Sequence, residues 1–387
     1  MDQNLRTPGP IPIPATVREA QAQQMVDHRG AEFAEMLHEI SSGIGELIGA
    51  TDGALLLTGS GSGALEAAIV NTLSPGDRVL SVNIGSFGDR FAKIATAFGA
   101  EVTTLASEWG TSASPEALAE HLAAAPPYTA VLLTHNETST GVVNPLADLL
   151  AAVRRAPGEP LTLVDGISGL GAIPFDMAMG VDLVVSASQK AWNASPGVAI
   201  AALSDRGWAA TEAARMPRFY WDLREARDWA AKGQTPWTPA IAVLYGLRVG
   251  VRALAAEGRE RTWQRHTAMA AAVAAGMEAL GLRLVAAPAD RSATVTAAWV
   301  PDGIDWPSFN AAMRGKGLVI AGGQGKWVGR ILRFGHMGDV GIDEMAQAIQ
   351  IMGETLAELG HSTDPAAAAA ATRETNEAGH AAALAER

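Results

Sequence analysis

Short apolar runs alternate with helical stretches along residues 54–203, and this alternation is the strongest pattern in the chain. The runs have the length and composition of buried strands, whereas the stretches between them have the spacing or length of helices. The predicted strands are residues 54–58, 78–84, 102–105, 130–134, 161–165, 182–186 and 198–203. Strands separated by helices form a mostly parallel sheet covered on both faces, so the pattern predicts an α/β protein with a seven-stranded sheet.

The pattern also divides the chain into parts. Residues 7–14 alternate proline with apolar residues, which predicts an extended arm over residues 1–20. A helical pattern follows from about residue 14 to 49. We place a large domain at residues 20–250, because the predicted sheet lies within it.

The C-terminal part has its own, weaker alternation. A long helical region follows Pro239, and strand-like segments follow at residues 283–286, 294–300, 318–321 and 330–334. We expect a smaller α/β domain at residues 255–360. The tail, residues 361–387, contains six consecutive alanines and is compatible with a helix or with disorder, so no function is assigned to it.

Charge and composition exclude several classes of protein. The chain has 41 acidic and 29 basic residues, a net charge of −12, which is the reverse of a nucleic-acid-binding surface. It has no run of about 20 apolar residues, so we expect no membrane span. Its start lacks the apolar segment of a secretory signal, which predicts a cytoplasmic protein. The chain has no cysteine, which excludes disulfides, thiolate metal sites and thiol nucleophiles.

The first candidate site is the glycine-rich segment 58–66, TGSGSGALE, between a predicted strand and a predicted helix. Glycines allow close approach of an anion, and a helix N-terminus offers free N–H groups, so a phosphate fits there. The segment lacks the spacing of a dinucleotide fingerprint and the lysine of a P-loop. A tight turn without a ligand remains an alternative.

Two further residues carry chemistry at predicted strand ends. Asp165 ends one strand, where ligands bind in open α/β sheets, although a turn or capping residue is an alternative. Lys190 follows another strand among small and apolar residues, which suits a desolvated amine, although most lysines are simply solvated. A phosphate loop, a strand-end aspartate and such a lysine together indicate a pyridoxal-phosphate site.

With these features, the chain resembles the class-V aminotransferases of fold type I, within the alanine–glyoxylate and serine–glyoxylate (serine–pyruvate) group. The resemblance extends from Pro8 to about Gly338. The stretches that carry it are GSGSGALEAA, NIGSFGDRF, THNETSTGVVNPL, LVDGISGLGAIPFDM, SASQKAWNASPG, QTPWTPAIAVLYGL and RILRFGHMG.

The resemblance implies pyridoxal 5′-phosphate as the cofactor and a role for each matching residue. Lys190 would bind the cofactor covalently and then move a proton, and Asp165 would pair with the pyridine nitrogen. The remaining implied cofactor contacts are Ser60, Gly61, Ser62, Phe87, Thr138, Gln189 and Thr238. Arg333 would bind the substrate α-carboxylate, with Gly9 also at the substrate.

Some of these positions depart from the family or have simpler explanations. Many relatives carry tryptophan or tyrosine at Phe87, and a tyrosine is often found near Thr238. Phe87 is also compatible with a core residue, and His135 with either the site or an ordinary buried histidine. No histidine spacing indicates a metal site.

The resemblance implies a transaminase that moves an amino group from alanine or serine to glyoxylate or pyruvate by a ping-pong mechanism. It also implies a homodimer in which Thr238 reaches the neighbouring subunit's cofactor. Another aminotransferase specificity or a lyase of the same fold is the alternative. A cysteine-dependent desulfurase is excluded, and a non-catalytic relative is disfavoured because Lys190 and Asp165 are both present.

Overall fold

The computed structural model describes residues 3–385. Its strands, numbered along the chain, are β1 (Asn4–Leu5), β2 (Leu55–Gly59), β3 (Arg78–Asn83), β4 (Glu101–Ala106), β5 (Ala130–Thr134), β6 (Asn136–Glu137), β7 (Val142–Val143), β8 (Leu161–Asp165), β9 (Leu183–Ala187), β10 (Gly197–Leu203), β11 (Val295–Trp299), β12 (Leu318–Val319), β13 (Ala321–Gly322) and β14 (Ile331–Gly335).

The helices connect and cover these strands. They are α1 (Ala15–Gln21), α2 (Ala31–Ile48), α3 (Gly61–Thr72), α4 (Ser86–Ala97), α5 (Pro115–Ala124), α6 (Leu146–Arg154), α7 (Asp205–Ala213), α8 (Leu223–Ala230), α9 (Ile241–Glu257), α10 (Arg259–Ala279), α11 (Trp306–Gly315), α12 (Ile342–Glu358) and α13 (Pro365–Ala385). Within residues 3–385, none of them combines the length and the apolar character that a membrane crossing requires.

The central sheet has seven strands in the order β2-β10-β9-β8-β5-β3-β4. Strands β9, β8, β5, β3 and β4 pair in parallel, whereas β10 runs antiparallel to both of its neighbours. Every residue of β5 is buried, as expected for a strand covered on both faces. The predicted α/β class and mostly parallel seven-stranded sheet are confirmed. In this seven-stranded sheet, the carboxyl ends of all strands except β10 lie at one edge of the sheet.

Apolar side chains form two large cores around the sheet and a third in the C-terminal part. The first includes Phe33, Ile40 and Trp192, and the second includes Leu65 and Phe91. The third packs β11, β14 and α10–α12 together with the alanine-rich helix α13. The C-terminal strands form a three-stranded antiparallel sheet in the order β11-β14-β13.

The N-terminal arm is held by backbone pairing to the C-terminal part. Strand β1 pairs in parallel with β12, and Arg6 N–H donates to Val319 O at 2.7 Å. Gly335 N–H donates to Arg6 O at 2.7 Å, and Arg6 forms an ion pair with Glu344 at 3.3 Å. The arm is therefore a fixed part of the fold.

Three predicted elements differ from the structure. The helical region 14–49 is two helices, because a turn in which Gly30 N–H donates to Asp27 O precedes α2. Residues 283–286 form no strand and make one isolated bridge, Leu284 to Ala298. The segment 318–321 is divided between β12 and β13, which join different sheets. For the two strand-like segments, the local pattern gives the apolar character but does not reveal the pairing partner.

Candidate active site

A cavity of about 270 Å³ lies at the carboxyl edge of the parallel strands. This is the edge at which ligands bind in open α/β sheets. Nine of the predicted site residues line it: Gly9, Ser60, Gly61, Ser62, Phe87, Thr138, Asp165, Gln189 and Lys190. The structure therefore brings together residues from the arm and from the ends of five strands of the central sheet.

The glycine-rich segment forms the turn between β2 and α3, with Ser60 as the N-cap. The Ser60 side chain makes no capping hydrogen bond, so the first backbone N–H groups of α3 are available at the cavity. A Cβ at Gly61 would lie 2.7 Å from Ile167 Cδ1, and one at Gly63 2.5 Å from the Trp221 ring. Packing against Ile167 and Trp221 therefore favours glycine at both positions.

Asp165 is the last residue of β8 and is buried. Its Oδ1 accepts a hydrogen bond from the backbone N–H of Ile167 at 2.9 Å. Burial raises the pKa of this carboxyl to about 7, and the nearby Glu137 carboxylate adds to the rise, while the Ile167 N–H and Lys190 oppose it. The carboxyl can therefore hold or release a proton near neutral pH.

Lys190 follows β9, and its side chain is almost fully buried. Its Nζ donates to the backbone carbonyl of Pro8, and a Cβ at Gly9 would lie only 2.5 Å from Nζ. Burial lowers the pKa of the amine to about 8, and Asp165 partly opposes this. Part of the amine is therefore neutral near neutral pH, which is the form that can act as a nucleophile.

A network of polar side chains covers one wall of the cavity. Thr138 Oγ1 donates to Ser168 Oγ at 2.8 Å, and Ser168 Oγ donates to Asn136 O at 2.9 Å. Within residues 3–385, the buried Gln189 Oε1 and Asn136 Oδ1 have no hydrogen-bond partner. Buried polar atoms are normally paired, so these two fit a polar ligand in the cavity.

Arg333 lies on β14 and is buried, but it is not among the residues that line the cavity. Its Nε donates to Gly322 O at 2.7 Å and its Nη1 to Thr138 O at 3.2 Å. Burial lowers the pKa of the guanidinium to about 10, so the group stays charged at neutral pH. Two backbone carbonyls therefore orient a cation beside Thr138.

Two predicted positions lie elsewhere. Thr238 is exposed on the loop before α9 and does not line this chain's cavity, so its contact across a subunit boundary stays a prediction. His135 is buried beside Phe175, with ring centroids 6.1 Å apart, and is not part of the cavity wall. Burial lowers its pKa to about 4, which favours an ordinary neutral core histidine.

Sequence reasoning missed several residues of the cavity wall, namely Pro10, Arg90, Asn136, Ile167, Ser168, Pro196 and Gln324. Five of the seven lie inside or at the end of the quoted motifs, so closer attention to strand-end polar residues would have found Asn136 and Ser168. Gln324 lies in a glycine-rich loop without such a signal. No group of three or more potential metal-ligating His, Cys, Asp or Glu side chains occurs in the part of the chain that the structure describes.

Comparisons with known proteins agree with this geometry. The family model for class-V aminotransferases matches residues 16–331. The chain is 37% identical to the small subunit of a soluble hydrogenase from Synechococcus sp., over 95% of this chain and 97% of that protein. It is 35% identical to L-aspartate–glyoxylate aminotransferase of Paracoccus denitrificans, over 91% of each chain. It is 32% identical to serine–glyoxylate aminotransferase of Methylorubrum extorquens, over 95% and 94%.

The fold is also similar to that of solved aminotransferases. Ureidoglycine–glyoxylate aminotransferase from Bacillus subtilis superimposes with a TM-score of 0.91 and 27% identity, covering 97% of this chain and 98% of that one. The match includes both the central sheet and the C-terminal part, because nearly the whole of each chain is covered. The matched family model, the relatives and the shared fold together show that this chain belongs to the class-V aminotransferase family.

Proposed function

We propose that the protein transfers an amino group from a small amino acid, alanine or serine, to glyoxylate or pyruvate, with pyridoxal 5′-phosphate as cofactor. The observation that carries the proposal is one cavity that holds a buried lysine, a buried strand-end aspartate and a helix N-terminus. Named relatives support glyoxylate as the acceptor, while their donors differ among aspartate, serine and ureidoglycine.

The cavity's donors and acceptors fit this cofactor. The N–H groups at the start of α3, with Ser60 and Ser62, would bind the phosphate. Gln189, whose Oε1 has no partner among the described residues, lies in the same wall. Phe87 would pack against the cofactor ring, and the Thr138 hydroxyl would form a hydrogen bond with the cofactor. When bound at Lys190, the cofactor supplies an electron-accepting ring that stabilises negative charge at the substrate Cα.

Lys190 and Asp165 would move and hold protons. The Lys190 amine, whose pKa burial lowers to about 8, would bind the cofactor and, once freed, carry the Cα proton. Asp165 would accept a hydrogen bond from the protonated ring nitrogen, and its charge would keep that nitrogen protonated. The raised pKa of its carboxyl, about 7, belongs to the protein without that positive partner.

Arg333 would bind the α-carboxylate of each substrate. Its guanidinium is fixed by the carbonyls of Gly322 and Thr138, which leaves further N–H groups for a bidentate contact with a carboxylate. The same arginine would serve the amino acid and the 2-oxo acid in turn, as a ping-pong cycle requires. Gly9, beside Lys190, would bound the substrate space on the arm side.

The proposal includes a homodimer whose second subunit contributes Thr238, a cytoplasmic location, and two domains at residues 20–250 and 255–360. Exposed aromatic side chains near Thr238 support the dimer: Phe219 is 75% exposed and its ring centroid lies 4.8 Å from that of Trp237. The separate C-terminal apolar core supports the division into domains.

The test is a matrix of amino donors against 2-oxo acid acceptors, with the products identified. The protein should take up pyridoxal phosphate, absorb visible light, and lose that absorption when the donor is added. Lys190→Ala should remove both the absorption and turnover, whereas Lys93→Ala, at an exposed lysine on α4, should retain both. An active Lys190→Ala enzyme would contradict the proposal, and turnover without any acceptor would identify a lyase instead.

A further inference from the structure

Glu137 is a buried carboxylate for which the proposed mechanism has no use. It lies in β6, and both of its oxygens accept hydrogen bonds. Oε2 accepts from the backbone N–H groups of Phe87 at 3.0 Å and Gly88 at 3.1 Å. Oε1 accepts from Ser139 N–H at 3.0 Å and Ser139 Oγ at 2.6 Å. Four donors on one buried side chain make a rigid junction between the β6–β7 hairpin and α4.

This carboxylate replaces a local cap on α4. The helix begins at Ser86, and its N-cap, Gly85, has no side chain to accept from the free N–H groups. A Cβ at Gly85 would overlap Glu137 Cγ, so the distant carboxylate occupies the space of a local capping side chain. Negative charge at this end of a helix is also favoured by the helix dipole.

The N-terminal end of α4, residues 86–90, carries two side chains of the cavity. The Phe87 ring is part of its wall, and the guanidinium carbon of Arg90 lies 4.7 Å from that ring's centroid. Arg90 Nη1 also donates to Ser62 Oγ at 3.2 Å, at the start of α3. A rotation of this part of the helix would therefore move the Phe87 ring and would also displace the Arg90 side chain from Ser62.

We propose that Glu137 is a positioning residue, which caps α4 so that the Phe87 ring and the Arg90 side chain are held against the bound cofactor. This inference rests on the proposed function, since it takes the cavity to hold pyridoxal phosphate. Burial raises the pKa of Glu137, and the hydrogen bonds from Ser139, Gly88 and Phe87 oppose this rise. The ionised form of Glu137 contributes to the raised pKa of Asp165 and favours the charged form of Arg333.

Glu137→Gln is the first test, because the amide keeps the shape and one oxygen but loses the charge. Its NH₂ group would also face the Ser139 N–H, so one hydrogen bond is replaced by a repulsive contact. The readouts are the visible circular dichroism of the holoenzyme and the rate of cofactor loss during dialysis. We expect a weaker visible signal and cofactor loss at least about tenfold faster, as for the loss of one charge-assisted hydrogen bond.

A double-mutant cycle separates positioning from a general structural effect. If Glu137 acts through Phe87, then Glu137→Gln should change cofactor loss by less than about threefold in a Phe87→Ala background. Asp182→Asn is the matched control: Asp182 is also a buried carboxylate, bonded to Thr162 N–H at 2.9 Å, but it lies at the amino edge of the sheet. It should leave both readouts unchanged even where stability falls.

The outcomes distinguish this inference from the proposed function. A wild-type protein that takes up no pyridoxal phosphate contradicts the proposed function itself. The positioning role is overturned if the Glu137→Gln holoenzyme has the visible circular dichroism and the cofactor retention of wild type. It is also overturned if the effects of Glu137→Gln and Phe87→Ala on the rate of cofactor loss multiply fully in the double variant. If Glu137→Gln does not fold, Ser139→Ala removes the 2.6 Å donor to the same carboxylate and should speed cofactor loss about threefold. No change in that variant would overturn the role as well.

Discussion

The side-chain amine of Lys190 donates a hydrogen bond to the backbone carbonyl of Pro8, 182 residues earlier in the chain. The proposed nucleophile therefore rests on the N-terminal arm, and not only on the strand that precedes it. Gly9, the next residue of the arm, lies against the same lysine side chain. The arm is thus a wall of the active-site cavity, with consequences that can be measured.

Gly9→Ala should impair the use of Lys190. The new Cβ would lie 2.5 Å from Nζ and 2.8 Å from Cε, and the backbone φ of +108° also disfavours alanine. We expect the rate of cofactor uptake and kcat to fall by at least about tenfold, as for a misplaced reacting group. Gly360→Ala is the control, because its φ is +90° but no atom lies within 4 Å. Equal effects of the two changes on uptake would contradict the contact with Lys190.

Asp165→Asn should change how stability depends on pH in the cofactor-free protein. The folded-state pKa of about 7 lies above the ordinary value of 3.8. A group with a raised pKa stabilises the fold fully at low pH, and this contribution is lost as pH rises from about 4 to about 7. The variant should therefore gain stability relative to wild type over that range, by at most about 4 kcal/mol. Urea unfolding of both proteins at pH 4–8 measures the difference between their free energies of unfolding. A difference that does not change with pH would contradict the raised pKa of Asp165.

Arg333→Lys should weaken substrate binding although the charge is kept. Lysine cannot reproduce both backbone contacts, to Gly322 and Thr138, together with a bidentate contact to a carboxylate. We expect kcat/KM for the amino donor and the 2-oxo acid to fall by about 10- to 100-fold, which corresponds to one or two charge-assisted hydrogen bonds. Arg330→Lys, at an exposed position just before the same strand, should have little effect. A loss for only one of the two substrates would argue against a shared carboxylate site.

The alanine-rich helix α13 should be part of the stable fold. Ala368 is fully buried in the C-terminal core, whereas Ala370 on the same helix is exposed. Ala368→Glu places a charge in an apolar contact and should lower the free energy of unfolding by about 3 kcal/mol or more. Ala370→Glu should change it by less than about 0.5 kcal/mol. Equal unfolding midpoints for the two variants in urea would show that α13 is not packed as described.

The sheet and the strand-end chemistry were predictable because both depend on local sequence. Asp165 and Lys190 each follow an apolar run, and strand ends in a parallel sheet meet at one edge whatever the loops between them do. For the same reason, the glycine-rich segment was placed correctly between β2 and α3. These inferences needed only the period of the pattern and the chemistry of single side chains.

Contacts between distant segments were not predictable in this way. The sequence shows Glu137 beside Asn136, but nothing local reveals that its carboxylate caps a helix that begins 51 residues earlier, at Ser86. The orientation of Arg333 by the Thr138 carbonyl depends on how the C-terminal part packs against the hairpin. The apolar segment 283–286 looked like a strand, but its pairing with β11 is limited to one bridge, Leu284 to Ala298, and local sequence does not show how far a pairing extends.

The pairing of β1 with β12 also sets an order of events during synthesis. Asn4 and Leu5 pair with Leu318 and Val319, so this strand has no docking site until more than 300 later residues have been made. Closing so long a loop costs little more free energy than closing one of medium length, because the entropic cost of loop closure rises only with the logarithm of loop length. The seven-stranded sheet includes neither β1 nor β12, so it can form while the lysine is still uncovered, and the arm covers the cavity only after β12 has been made.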